Sequence, residues 1–263
     1  MSEVTAPYEP GTPCWVDLMV PDQQAALDFY RDLFGWQGEI GPEEFGGYSI
    51  CTLKGKPVAG MMKSMAMGDQ PPPPPNWTSY FSSADADATE AAIRANGGTL
   101  IVSATDVGGI GRMLIGVDPQ GAVFGVWQPK GFDGAAIVNE PGALVWNQLS
   151  TPDPKGAGVF YQAALGLEAG PMPDMPEFTG LQVKGRTIGG VQGMENLPEG
   201  VPPHWLVNFC VDDVDSTADA LVRAGGSLMA PPFDMDKVGR MAVVLDPQGA
   251  AFAIVATNEP VKP

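Results

Sequence analysis

Three side chains in this sequence stand out, by type and position, as candidates to move a proton. Asp17 lies in the run W-V-D-L-M-V, Tyr80 in a later apolar run, and His204 is the only histidine in 263 residues. Each of the three is a candidate acid or base, and a neutral imidazole needs little tuning for that work at pH 7. His204 follows Pro203, where a strand-end hydrogen bond is the competing role. Cys14, Cys51 and Cys210 are widely spaced, odd in number and without a C-x-x-C pair. They read as reduced, buried thiols of a cytoplasmic protein. Two arginines recur in one motif, G-R-M-x4-D-P-Q-G-A, over residues 111–122 and 239–250. Arg112 and Arg240 either contact a ligand or pair with a nearby acid such as Asp118 or Asp246.

The motif returns half a chain later, and other pairs return with it. P-G-x-x-x-W occurs at Pro10 and Pro141, Phe29-Tyr30 matches Phe160-Tyr161, and Lys54-Gly55 matches Lys184-Gly185. Trp77 matches Trp205, and Gly97-Gly98 matches Gly225-Gly226. A period that long marks a duplicated module. In the first copy Trp15, Asp17 and Met19 alternate with Val16, Leu18 and Val20, as in a half-buried strand. Asp22 caps a helix carrying Ala26, Phe29, Tyr30, Leu33 and Phe34, and Gly35 stops it. Residues 47–53 and 57–62 predict a hairpin turning at Lys54-Gly55-Lys56. The five prolines at 71–75 form a stiff spacer or, on a sharper reading, a proline-recognition ligand. Beyond them come a strand at 77–81, a helix from Asp85 and strands at 99–102, 112–117 and 122–127. The second copy repeats this order.

The expected organisation is a first module over 1–130 (units 10–63 and 76–130), a linker at 131–142 and a second module over 143–263 (units 143–195 and 203–257). The start of the chain shows no basic segment followed by an apolar run, and no stretch approaches about 18 uninterrupted apolar residues. A net charge of −17, spread along the chain, repels phosphate backbones and anionic lipid heads. It argues against nucleic acid and membrane partners. The same field keeps the protein soluble or draws in a cationic ligand.

Four units with acid-capped helices, the L-F-G-W helix end and the terminal D-P-Q-G strand resemble the vicinal oxygen chelate superfamily, which includes glyoxalase I, extradiol dioxygenases and bleomycin-resistance proteins. P-G-T-P-x-W-V-D-L, V-G-R-M and L-D-P-Q-G-A look like its two-module actinobacterial hydroxylase-like branch. The resemblance implies an α+β fold of four βαβββ units, forming two tandem modules whose mixed sheets curve around clefts. It also implies a chain that works as a monomer or homodimer, because two copies supply the pairing that single-module relatives reach by dimerising.

The superfamily's metal pattern does not carry over. Its first ligand falls on Trp15 and Trp146, its second on Thr78 and Leu206, and its closing glutamate on Gly125 and Ala253. Neither an indole nor these aliphatic residues offer a lone pair to a divalent cation. No metal or other cofactor is expected. The expected ligand-binding residues are Trp15, Asp17, Tyr48, Thr78, Tyr80, Arg112 and Trp127 in the first cleft. Trp146, Gln148, Phe178, Asn208 and Arg240 are their counterparts in the second. Trp15 and Trp146 either stack on a flat ligand or fill the space left by absent metals. The leading reading is a metal-independent protein holding a cationic or planar aromatic, polyketide-like small molecule. The alternative is a hydroxylase, isomerase or lyase using Asp17, His204 or Tyr80 on a polyketide-like or dicarbonyl substrate.

Overall fold

In the computed structural model, residues 3–66, 71–172 and 175–258 are described. The first half runs β1 (Pro13–Val20), α1 (Gln23–Phe34), a single 3-10 turn (Glu43–Phe45), β2 (Ser49–Leu53), β3 (Lys56–Lys63), β4 (Asn76–Ser82), α2 (Ala86–Ala95), β5 (Thr99–Val107), β6 (Gly111–Val117) and β7 (Val123–Pro129). The second half runs β8 (Leu144–Ser150), α3 (Pro154–Leu165), β9 (Glu168–Met172), β10 (Met175–Val183), β11 (Arg186–Gln192), β12 (His204–Cys210), α4 (Val214–Arg223), β13 (Ser227–Met235), β14 (Gly239–Leu245) and β15 (Ala251–Thr257). No helix among the described residues is long and apolar enough to cross a membrane.

Local chemistry sets the element ends. Asp22, Asp85, Asp153 and Asp213 each accept a hydrogen bond from the amide three residues on, the N-cap arrangement. Gly35 and Gly166 close α1 and α3 in the left-handed region, at φ 76° and 71°. Lys54-Gly55 and Lys184-Gly185 take positive φ at both residues, as a two-residue hairpin turn with matched strand twist requires.

Each half forms one mixed sheet with the same plan. The orders are β2-β3-β1-β4-β7-β6-β5 and β13-β14-β15-β12-β8-β11-β10-β9. The opening strands of paired units lie antiparallel at the centre, β1 with β4 and β8 with β12. Parallel strands flank them, β3 and β7 in one sheet and β11 and β15 in the other. The first unit departs from the four-strand expectation. Where the third unit has β9, the first has only an isolated bridge between Gln37 and Thr52.

The strand alternation sorts side chains as the sequence pattern predicts. Val16, Leu18 and Val20 are buried on the helix side of β1, while Trp15, Asp17 and Met19 face an open cleft. The helix sides of the two sheets pack on each other. One core joins Phe29, Tyr30, Phe34 and Trp36 to Phe209, Leu221 and Phe252, and another joins Phe81, Ile93 and Phe124 to Phe160, Tyr161 and Trp205. Where β4 passes β8, Ser79 Oγ donates to Asn147 Oδ1 at 2.5 Å.

The duplicated motifs meet across this interface. Asp118 Oδ1 holds its own turn by accepting from the amides of Gln120 and Ala122, and Oδ2 accepts from Tyr161 on α3 of the other half at 3.1 Å. Trp205 Nε1 in turn donates to that tyrosine at 2.8 Å. The mirror arrangement links Trp77, Tyr30 and Asp246. The D-P-Q-G-A aspartates and the Phe-Tyr tyrosines are therefore structural bolts, each joining one module's turn to the other module's helix.

Candidate functional site

The floor of the first cleft is built by three strands and one loop. Asp17 on β1 faces Thr78 across the antiparallel β1–β4 pair and Gly60 across the parallel β1–β3 pair. Two hydroxyls converge on one of its oxygens: Tyr80 on β4 donates to Asp17 Oδ2 at 2.9 Å, and Tyr48, just before β2, at 3.3 Å. Tyr48 also accepts from Trp15 Nε1 at 2.7 Å. Asp17 is 5% exposed, and no cation lies within ion-pair distance of it among the described residues. Burial pushes its carboxyl up to about 7, against the smaller opposing pull of the Tyr80 and Tyr48 hydrogen bonds. Burial, followed by the nearby Asp17 charge, raises both tyrosines well above their ordinary value, so they stay protonated donors.

Two glycines make room for this cluster. A Cβ at Gly60 would stand 1.8 Å from Tyr48 Oη, and one at Gly125 would stand 2.2 Å from the Tyr80 ring. Neither contact is possible, so any side chain at these positions expels a tyrosine from Asp17. Gly125→Ala is expected to cost about 1–3 kcal/mol by overpacking and to push the Tyr80 hydroxyl away from Asp17. Chemical denaturation with near-ultraviolet circular dichroism checks this, and an unchanged tyrosine signature would contradict it. Glycine inside a strand pattern is the sequence signal that could have revealed the cluster.

The remaining candidates divide among several places. Trp127 lines the first cleft, donates its Nε1 proton to Phe132 O at 2.7 Å and is 8% exposed. Phe132, from the segment expected to be a linker, packs edge-on against Trp15 at 5.0 Å and closes one end of the cleft. Pro73, Pro74 and Pro75 line the same space, so this part of the proline run forms a cleft wall. Arg112 and Arg240 are not cleft residues. Arg112 pairs with Asp87 and Asp106, and Arg240 with Asp215 and Asp234. Asp118 and Asp246, the acids expected to pair with them, are instead held by Tyr161 and Tyr30. Both guanidiniums lie on the helix side of their strands, paired with acids of α2 and α4, and Arg112→Ala is expected to leave ligand titrations unchanged.

In the second cleft Trp146 is half-buried and donates to Gln148 Oε1 at 3.0 Å. Gly190 leaves room for both, since its Cβ would stand 2.6 Å from Gln148 Oε1. Asn208, Leu206 and the 41% exposed Phe178 line the same face. His204 is the first residue of β12, lines this cleft, and sits 2.8 Å through Nδ1 from Pro202 O. It therefore belongs to the other sheet from Asp17 and Tyr80, and the three acid–base candidates do not form one site. Asn208 stands where Tyr80 would be and Phe178 where Tyr48 would be, so the second cleft has no counterpart of the hydroxyl cluster. The two concave faces together line about 1820 Å³ of space.

The positions that correspond to metal ligands do not fit a metal. Trp15 spends its N–H on Tyr48, and the Tyr80 ring fills the space a side chain at Gly125 would need. Thr78 is the one oxygen among the six positions, and a single neutral hydroxyl is a poor site for a divalent cation. No group of three or more His, Cys, Asp or Glu residues is arranged to hold one among the described residues. The three cysteines are free and buried, and burial pushes Cys51 up to about 12 and Cys210 to about 11, away from thiolate chemistry.

Residues 14–126 match the glyoxalase/bleomycin resistance protein/dioxygenase superfamily, and residues 146–255 match the glyoxalase-like domain. The chain is 42% identical over 252 residues to CFP32 of Mycobacterium tuberculosis (strain CDC 1551 / Oshkosh), whose assigned name proposes a glyoxylase, covering 94% of this chain and 95% of that one. It is 36% identical over 271 residues to the anthracycline biosynthesis protein DnrV of Streptomyces peucetius, covering 96% and 95%. Its fold is similar to that of the Mn(II)-bound glyoxalase from Novosphingobium aromaticivorans (TM-score 0.65, 17% identity, 97% of this chain and 85% of that chain). It is also similar to the 2,3-dioxygenase LapB from Pseudomonas sp. KL28 (TM-score 0.62, 15% identity, 97% and 96%). With two matching modules on two open mixed sheets, the chain belongs to the glyoxalase/bleomycin resistance protein/dioxygenase superfamily.

Proposed function

We propose that this protein binds a planar, partly apolar small molecule of aromatic-polyketide type in its concave clefts and does so without a divalent metal. The observation that carries the reading is the replacement of metal donors by an aromatic floor, with Trp15 and Tyr80 occupying the positions and space those donors would need. Indole and phenol faces offer flat apolar contact, each worth about 0.5–1.5 kcal/mol beyond its buried area. Asn76, Thr78 and Gln148 are among the polar groups available to orient a ligand. The name of the relative DnrV points to the same chemistry, since anthracyclines are flat fused-ring aromatics. A surface carrying −17 favours ligands that bear an amine.

The test is a tryptophan fluorescence titration with neutral and amine-bearing anthraquinones, before and after dialysis against a chelator. Saturable quenching at micromolar concentration, unchanged by the chelator and weakened by salt for the amine-bearing members, is the expected outcome. No quenching up to high micromolar concentration would sink the binding reading. Binding lost with the chelator and restored by a divalent metal would sink metal independence. The enzyme alternative is favoured by one specific observation, the buried carboxyl of Asp17.

A further inference from the structure

We propose that Asp17 is the proton-transfer centre of the first cleft, taking and returning the acidic C–H proton beside the carbonyl of a planar aromatic ketone, with Thr78 holding the carbonyl oxygen. The inference rests on the cleft being a binding site for such molecules. It differs in asking what the floor does to a molecule held there.

A carboxyl that is 5% exposed and has no cationic partner is costly to keep in an apolar setting. Packing does not account for it, because both tyrosine hydroxyls are spent on the same oxygen, Oδ2. Oδ1 accepts no hydrogen bond among the described residues, and Asp17 faces the cleft. The free oxygen is therefore held in a fixed direction by two donors on its twin. Directly across the strand pair stands Thr78, whose Oγ1 accepts from Asn76 Nδ2 at 3.4 Å and so keeps its own proton to donate. Cross-strand neighbours of this kind lie about 5 Å apart, the spacing needed to address a carbonyl oxygen and the adjacent carbon at once.

The step balances without a further reagent. The C–H bond breaks, its proton goes to Asp17 Oδ1, and its electron pair forms the C=C of an enolate whose charge rests on the oxygen facing Thr78. Return of the proton to the same carbon, or to a conjugated one, regenerates the carboxylate and gives an exchanged, epimerised or isomerised ketone. Nothing is oxidised or reduced.

A base of this kind needs to change protonation near neutral pH, and Asp17 does so because burial raises its carboxyl to about 7. The titratable groups packed against it are Tyr80 from β4 and Tyr48 from the loop before β2, with Cys14 behind the first and Cys51 behind the second. Glu44 and Asp106 also line the cleft. The second cleft has Gln148 in place of Asp17, a neutral carboxamide that cannot take up a substrate proton.

The test uses 2-tetralone, a small bicyclic ketone whose carbonyl lies one carbon from a fused benzene ring. Tryptophan quenching reads its binding, and proton magnetic resonance reads washout of its α-protons in D2O. Wild-type protein is expected to accelerate washout, with a rate that rises through about pH 7 as Asp17 ionises. Asp17→Asn is expected to retain quenching and lose about 100-fold or more of the protein-dependent rate. Tyr80→Phe is expected to move the pH midpoint upward, because its hydrogen bond favours the carboxylate. Quenching without accelerated washout, or equal washout by Asp17→Asn, overturns the inference and leaves the binding reading standing. Absence of quenching overturns both.

Discussion

Asp17→Asn is expected to stabilise the protein above pH 7 while changing it little at pH 4. Burial raises the folded carboxyl from 3.8 to about 7, so between those values the folded chain holds a proton that the unfolded chain has released. Stability from this group is fully present below about pH 4 and is lost as pH rises through about 7. Roughly three units correspond to about 4 kcal/mol. Asparagine can accept from Tyr48 and Tyr80 through its own oxygen and carries no charge to bury. The difference in unfolding free energy between the two proteins, measured by urea denaturation from pH 4 to 8.5, should therefore grow with pH and level off above 7. Subtracting one protein from the other cancels other raised groups such as Asp246. A flat difference across this range would show that Asp17 is ionised at little cost, and would remove the electrostatic basis for a proton-transfer role. A residue whose removal stabilises the fold is the signature of a site kept for function.

Asp118→Ala should be among the most destabilising single changes away from the clefts. It strips the acceptor from the Ala122 amide and the Tyr161 hydroxyl, both buried, and from the Gln120 amide at the turn. Two buried donors at about 1–3 kcal/mol each place the loss at about 2–6 kcal/mol. Asp246→Ala should behave alike through Tyr30. Tyr161→Phe removes the bond between modules and also the acceptor of the Trp205 indole N–H, and because the Asp118–Tyr161 bond is shared, the Asp118→Ala/Tyr161→Phe double variant should be less unstable than the two losses added. A cost below about 0.5 kcal/mol for Asp118→Ala, the range of ordinary surface changes, would show that the bolt does not hold the modules together.

The order of elements is written in short-range chemistry. Each of the four aspartates Asp22, Asp85, Asp153 and Asp213 announces a helix by a mechanism confined to three residues, and each caps one. The period of two in Trp15, Asp17 and Met19 reported a cleft face correctly, because a pleated strand leaves alternate side chains no other choice. Arg112 and Arg240 miss the cleft because the same period puts Met113 and Ile115, and Met241 and Val243, on the cleft face and the arginines on the opposite one. Each lies near acids from elements far away in sequence, Asp87 on α2 and Asp215 on α4, and a long side chain turns toward the charge it can reach.

What the sequence determined by itself was the duplication, most of the strand and helix order and which residue types stand at the positions corresponding to metal ligands, since these depend on residue identity and short spacing. Only the tertiary structure decided that Tyr48 and Tyr80, 31 and 63 positions from Asp17, share one of its oxygens, and that Gly60 and Gly125 are empty so that they can. It also decided that the repeated aspartates and tyrosines pair across modules and not within them. A short sequence pattern encodes which face a side chain takes. Which distant strand supplies its neighbour is set by sheet order and by the packing of two helix-covered faces, and that information lies in no local stretch of the chain.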